Sequence, residues 1–419
     1  MLSVSGEASI DGGLQATLHE VVETLAPLDR TPCSPGERQS AEWLAARLER
    51  VPGVEVVMED EPSWGTFPPT SIAIGLTGLA GAASSLRGSR PLGALLGVLA
   101  AAGLIDEAQN GPRVLRRLIR RRRRTVNVIA RAGDPQAAET VVVIAHHDAP
   151  QSGMLFDQSL LKYLYERSPE RMSHAKTSFP QWWTGLASPL GAILTALTGR
   201  KAPARVGLAL GALGTALVTE LWSNDTVQGA NDNLSGVAAL VALAEMLVAE
   251  PVPGVRVLLV SCGAEETLQD GIRAFMRTHA HELDPTRTSF VNVDTIGSPH
   301  LIMLEGEGPI WMEHYAGGWL RDLIAERAER LEIPLERGFE ARASTDSIIP
   351  SRAGYPIATL VSITDWRSPA NYHLPTDVPA NLDYATVADA TRLVHDVIGS
   401  IVARAGGAPN GDKDSALAS

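Results

Sequence analysis

Apolar residues fall along this chain in two rhythms. Short unbroken runs, each closed by a small residue and then by acids or histidines, read as strands buried on both faces. Val141–Ile144 in "VVVIAHHDAP" is one, and Val255–Val260 in "VRVLLVSCGAEETLQDG" is another. "SFVNVDTIG" repeats the pattern, with Asp294 at the strand end. After the loop "GANDNLSG" the apolar positions take helical spacing, so Asp232 stands at a loop-to-helix junction, where capping is its simplest role. Strands alternating with helices predict an α/β domain, a mixed, largely parallel sheet with helices on both faces.

Two stretches break that rhythm. Trp64 to Ile105 and Thr177 to Thr219 each read as a long uncharged leg, a short basic turn and a shorter leg, rich in Gly, Ala and Leu. This is the composition of closely packed membrane helices, and Trp64, Trp182, Trp183 and Trp222 gather at the base of the legs. Two inserted apolar helical hairpins are expected, entering a bilayer or capping a soluble domain. The basic tips weigh against full burial in lipid. Next to the first hairpin lies "RVLRRLIRRRRR", residues 113–124, which suits an anionic membrane surface and would keep the rest of the chain on the cytoplasmic side.

Composition narrows the partners. The formal net charge of -12 argues against nucleic acid. Cys33 and Cys262 cannot make a disulfide framework, so a reducing compartment is acceptable. The first residues lack a basic and an apolar leader region, so no secretory signal is expected. A soluble cytoplasmic protein is the alternative to a membrane-bound one, and a homo-oligomer stays open.

The chemistry lies at the strand ends. On a strand, His146 and Asp148 share a face and His147 points away, so a carboxylate can hold one His146 nitrogen and free the other. Taken singly, such residues are strand-end or capping groups. Together, His146, Asp232, Glu266, Asp294 and His373, with Glu265 and Asp148 beside them, suit a binuclear zinc centre. Two divalent ions ~3.5 Å apart repel by about 19 kcal/mol at an effective dielectric of roughly 20. Three carboxylates and a bridging hydroxide would balance that charge, and neutral imidazoles alone would not.

The ordered set H-x-D, G-A-x-D-N-x-S-G, E-E, N-x-D and Y-H-x-P-T-D resembles the di-zinc exopeptidase family of bacterial leucyl aminopeptidase and aminopeptidase Y, with glutamate carboxypeptidase and glutaminyl cyclase as relatives. The segments are His146–Asp148, Gly229–Gly236, Glu265–Glu266, Asn292–Asp294 and Tyr372–Asp377. "TVNVIAR" and the early "LDRTPCSPGERQSAEWLAARLE" resemble the family as well. Asp294 follows Glu265 too closely for the dimerisation insert of the carboxypeptidase G family, whose ligand order is similar.

The resemblance implies a phosphorylase/hydrolase-like zinc exopeptidase fold and two Zn²⁺, with other divalent metals open. His146 and Asp294 would complete one metal, Glu266 and His373 the other, and Asp232 would bridge them. Glu265 and Asp148 would be the catalytic pair. Glu265 would be general base toward a bridging hydroxide, and Asp148 would orient His146. Asp346 matches an acid of the family, but Ser347 replaces the histidine that usually follows, so that loop gets no catalytic role. The expected substrate is a peptide or amino-acid amide cut at its amino end. A carboxypeptidase, an amidohydrolase, a glutaminyl cyclase or a dead binding protein on the same site are alternatives. The expected layout is a peptidase domain over 1–65, 107–176 and 223–405, hairpins at 66–106 and 177–222, and a disordered tail at 406–419.

Overall fold

The structure is a computed structural model that describes residues 4–407, with side chains from 12 to 404. The expected tail from 408 on lies outside the described residues. Helices α1 (Val4–Leu25) and α2 (Pro35–Leu48) precede strand β1 (Glu55–Ser63). Helices α3 (Pro68–Leu86), α4 (Arg90–Ala108) and the short α5 (Val114–Ile119) lead to β2 (Arg123–Gly133) and β3 (Glu139–His146). Then come α6 (Ser159–Arg167), α7 (Pro169–Ser173), α8 (Ala187–Thr198), α9 (Ala202–Ser223) and α10 (Ser235–Ala249). After β4 (Val255–Cys262) and α11 (Asp270–His279) follow β5 (Thr288–Val293), β6 (His300–Glu307) and β7 (Glu313–His314). The chain closes with α12 (Gly318–Arg330), β8 (Glu336–Ala341), α13 (Ile348–Arg352), β9 (Ile357–Ile363) and α14 (Tyr384–Gly407).

The strands form one mixed sheet in the order β1-β2-β4-β3-β5-β9-β6-β7, with β8 on β6. Its centre, β4-β3-β5-β9, is parallel, and antiparallel strands flank it. The unbroken apolar runs follow from burial on both faces. Val141, Val143 and Ala145 face the core shared with α1, α10 and α14, while Val142 and Ile144 face the core beside α11. Each large side chain buried there contributes roughly 1.5–3 kcal/mol. The parallel strands all end on one edge, and the loops that follow collect there. That edge is where open α/β sheets bind ligands.

The two inserts are apolar helices, as expected, and they pack on each other. Helix α3 packs on α4, α8 and α9, and α8 packs on α4 and α9, so all four form one bundle over that sheet edge. The legs differ from the expectation. In the first insert both are 19 residues long, and in the second the long leg is the returning one, α9, with 22 residues. The outgoing leg is divided because Gln181–Leu186 winds into a 3₁₀ turn before α8 begins. Small residues set the packing. A Cβ on Gly207 would meet Ala187 O at 2.7 Å, so α8 and α9 touch backbone to backbone.

The arginine run is not uniformly a surface patch. Arg113 is buried against Asp270 at 2.6 Å, and Arg116 against Glu107 at 2.6 Å. Burial without a partner would cost several kcal/mol, so each needs its carboxylate. Arg117 and Arg121 to Arg124 are exposed, beside exposed Val114, Leu118 and Ile119.

Candidate metal centre

Five chain segments arrive at the carboxyl edge of the parallel strands, each bearing part of one cluster. His146 ends β3, Glu265 and Glu266 follow β4, and Asp294 follows β5. Asp232 enters in the turn before α10, and His373 comes from the loop after β9. All six are buried or nearly so.

The two oxygens of Asp232 serve different histidines. His146 Nε2 lies 3.2 Å from Asp232 Oδ1 and 3.9 Å from Asp294 Oδ1. His373 Nε2 lies 3.1 Å from Asp232 Oδ2 and 3.4 Å from Glu266 Oε1. Ligand atoms on one tetrahedral zinc stand about 3.3 Å apart, given bonds of about 2.0–2.1 Å. Both half-sites fit that spacing. Two of these close atoms, Asp232 Oδ2 and His373 Nε2, make no properly aligned hydrogen bond despite full burial. Buried polar atoms are otherwise nearly always satisfied, and a cation between them would satisfy both. One ligand atom each from His146, Asp232 and Glu266 also lies within 4.8 Å of the others.

Around these groups the chain has built supports. Asp148 is fully buried, with Oδ1 3.5 Å from His146 Nδ1. The Asp148 carboxylate also accepts from the backbone N–H groups of Glu265 and Glu266, each at 3.0 Å. It therefore fixes both the first histidine and the acidic pair. His147 turns to the other face and meets Ser261 Oγ at 2.9 Å, and burial lowers its pKa to about 4. Gln269 Nε2 donates to Glu265 Oε1 at 2.7 Å and holds that carboxylate toward the cluster.

Several supports were not singled out in the sequence. Arg30 is fully buried and donates to His147 O at 2.9 Å, Leu25 O at 2.8 Å and Gln228 O at 2.7 Å. It clamps the His146 and Asp232 segments together. Asp377, the last residue of Y-H-x-P-T-D, accepts from the N–H groups of Asn231 and Asp232 at 2.7 and 3.1 Å. Phe156 and Tyr372 flank the His373 ring, each with its centroid 4.1 Å away. An arginine shortly before α2 and the motif's first and last residues, Tyr372 and Asp377, carried a signal; Phe156 carried none. Asp346 lies buried with neither oxygen hydrogen-bonded, and burial raises its carboxyl to about 8.

The electrostatics describe a pocket short of positive charge. Burial raises Glu265 well above the ordinary carboxylate range, His146 opposes that and Glu266 adds to it. Burial likewise raises Asp294 to about 7. For His373 burial pulls down, yet the Glu266 charge and the close Asp232 carboxylate carry it up to about 10. Protons on these groups occupy the place that divalent cations would take.

Two large clefts open onto the cluster. One runs into the inserted bundle past Phe67, Leu104, Trp182 and Val218. The other passes His146, Asp232 and Asp294 toward Phe339, Arg342 and Arg367.

In sequence, residues 215–398 match the model of peptidase family M28, a span that contains Asp232, Glu265, Glu266, Asp294 and His373. The resemblance is borne out. The chain has the fold of the M28 zinc exopeptidases. Among solved structures, the LapA aminopeptidase of Legionella pneumophila superposes with a TM-score of 0.54 at 9% identity, over 96% of this chain and 76% of that one. A Zn-dependent exopeptidase from Parabacteroides distasonis gives 0.51 at 14% identity, over 92% and 97%. A Bacteroides thetaiotaomicron glutaminyl cyclase bound to N-acetylhistamine gives 0.52 at 12% identity, over 92% and 97%. No curated protein matches the chain. The M28 match begins inside α9 and so leaves out His146 and Asp148, which the fold alone brings to the cluster. Family and fold together support a metallo-exopeptidase dependent on zinc.

Proposed function

We propose that this protein is an aminopeptidase-like hydrolase that uses two zinc ions to cut a terminal amide bond at a membrane surface. The observation that carries it is the divided Asp232 carboxylate, one oxygen toward His146 and Asp294, the other toward His373 and Glu266. Bound there, two zinc ions would polarise the scissile carbonyl and bring water close to ionisation at neutral pH. The chain's own residues do the rest. Glu265, raised by burial and aimed by Gln269, takes a proton from the attacking water and returns it to the leaving amine. Asp148 keeps His146 in one orientation and fixes the backbone of both glutamates. Phe156 and the bundle above shield the cluster from bulk water.

Membrane association draws its support from the bundle's outer face. Leu76, Leu95, Leu99, Leu197, Val206 and Leu213 are each more than half exposed. Helices α4 and α9 are long and apolar enough to cross a bilayer, and a third such helix lies at Ala230–Ala249. That third segment, which takes in α10, is mostly buried in the core, and the outer helices are not. Exposed Arg117 and Arg121 to Arg124 would meet anionic headgroups, which supports a peptidase domain on the cytoplasmic side. A glutaminyl cyclase on the same centre is the second reading, favoured by the fold shared with the Bacteroides enzyme.

Zinc stoichiometry, hydrolysis of leucine anilide before and after chelation, and cyclisation of a glutaminyl peptide test the chemistry. Two zincs per chain with chelator-sensitive hydrolysis are expected. One zinc or none at full activity refutes the centre, and cyclisation without hydrolysis replaces the peptidase. Flotation with anionic vesicles tests the membrane half, and a detergent-free protein that never floats refutes it.

A further inference from the structure

The turn that carries the acidic pair is held from two sides. Glu265–Thr267 forms a single 3₁₀ turn between β4 and α11. Ala264, Leu268 and Gln269 flank it at φ +54°, +69° and +67°. None is glycine, so each takes a left-handed backbone that its Cβ resists. Such residues persist only where their surroundings over-determine them. Here the N–H groups are fixed from within the peptidase domain. Glu37 accepts from Ala264 at 2.8 Å, and Asp148 accepts from Glu265 and Glu266.

The carbonyl end is fixed from elsewhere. Thr267 is fully buried, and its carbonyl accepts from Arg113 Nη1 at 3.3 Å and from Arg116 Nη1. Both arginines belong to the segment after the first insert, Arg113 at the start of α5 and Arg116 within it. Arg116 also donates through Nε to Glu107, near the end of α4, at 2.8 Å. One guanidinium thus spans from the insert to the turn. Arg113 meets Asp270, the first residue of α11, whose other oxygen accepts from Ser63 at 2.7 Å. Asp106 accepts from the N–H groups of Arg113 and Val114 at 2.9 and 2.6 Å and sets where α5 begins. Apolar side chains in place of these ion pairs would fill the same space with no charge to desolvate. What they could not supply is a donor at the Thr267 carbonyl, one residue past Glu266.

We infer that Arg116 and Arg113 are positioning residues for the acidic pair: by holding the Thr267 carbonyl they keep the left-handed turn wound, and so hold Glu265 and Glu266 at the cluster. This rests on the hydrolase reading above and adds the segment after the first insert to what that site requires. Neither arginine lines the two clefts, so the effect reaches the reaction through the backbone. With the carbonyl released, Leu268 and Gln269 leave the left-handed region. Gln269 then carries its hydrogen bond away from Glu265, and Glu266 moves off His373.

Two substitutions that break the same buried ion pair separate this role from plain stability. Glu107 bonds Arg116 and, among the described residues, no residue of the turn. Arg116→Met removes both the pair and the bond to the carbonyl. Glu107→Gln removes the pair and leaves the guanidinium on Thr267. Both should lower the melting temperature. Only Arg116→Met should lower kcat for leucine anilide, by about 10–100-fold with KM within about twofold, and weaken the more labile zinc by a similar factor in chelator competition. Should that variant not fold, Arg116→Lys keeps the charge beside Glu107 but has one nitrogen in place of the fork, and the same two losses are expected. Equal losses in Glu107→Gln overturn the inference, because stability would then account for them. Full kcat and zinc affinity without the guanidinium overturn it as well. Zinc competition needs no turnover. If the protein without substitutions cleaves no leucine anilide, the hydrolase reading fails and the zinc measurement still decides the role of the arginines.

Discussion

At Asp232 one carboxylate faces two imidazoles across distances that a pair of zinc ions would span. Asp232→Asn keeps the shape and removes the charge on which both half-sites depend. The expected result is loss of both zincs, read by elemental analysis after dialysis, with the fold retained by circular dichroism. Retention of two zincs would show that the bridge lies elsewhere. Glu265→Gln should keep both zincs and lower kcat by about 10²–10⁴, the usual worth of a positioned general base. Arg30 acts at a distance from the chemistry. It donates to three backbone carbonyls from a fully buried position, so Arg30→Met should cost roughly 3 kcal/mol in urea unfolding and weaken zinc retention as the clamp opens.

Among the elements, the strands were the most legible. Val141–Ile144, Val255–Val260 and the run before Asp294 are apolar without alternation because helices cover both faces, and each lies within an observed strand. The inserts were legible as apolar helices but not as one body. Composition gives a helix its lipid-like surface, yet whether two hairpins pair depends on which small residues meet, and Gly191, Gly207 and Gly211 meet Gly207, Ala187 and Ser188 only in three dimensions. Gly207→Val should therefore separate α8 from α9 and lower the melting temperature by several degrees, while zinc content stays at the wild-type value. A drop in zinc content would mean that bundle and centre fold as one unit. The arginine run divided for a similar reason. Arg113 and Arg116 look like their neighbours in sequence, and only Asp270 and Glu107, brought up by the fold, make them interior residues.

For the whole molecule, stability in acid tests how the outer sheet is tied to the cleft. Glu336 on β8 sits between Arg367 and Lys176, and the hydrogen bond from Arg367, helped by Lys176, lowers its pKa from 4.5 to about 2. A depressed carboxylate stabilises the folded state fully above its unfolded value and loses that contribution as pH falls toward the folded one. Glu336→Gln should thus reduce stability at pH 7, and its difference from wild type should fade between about pH 4.5 and about pH 2. Urea titrations at the two ends of that window read it. A constant difference would mean that the pair does not hold β8. The proposed membrane contact also belongs to this scale, since the apolar outer face exists only once four helices have packed their inner faces together.

By itself the sequence determined the α/β class, the apolar inserts and which acids and histidines to look for at the strand ends, because these follow from local pattern and from the ordered motifs. Tertiary structure alone decided which carboxylate oxygen meets which histidine. It also decided that Asp148 supports the glutamates as well as His146, that Arg30 and Asp377 tie distant segments, and that an apolar chamber opens above the acids. Those features depend on contacts between residues a hundred or more positions apart, and nearest neighbours along a chain carry no record of such distances.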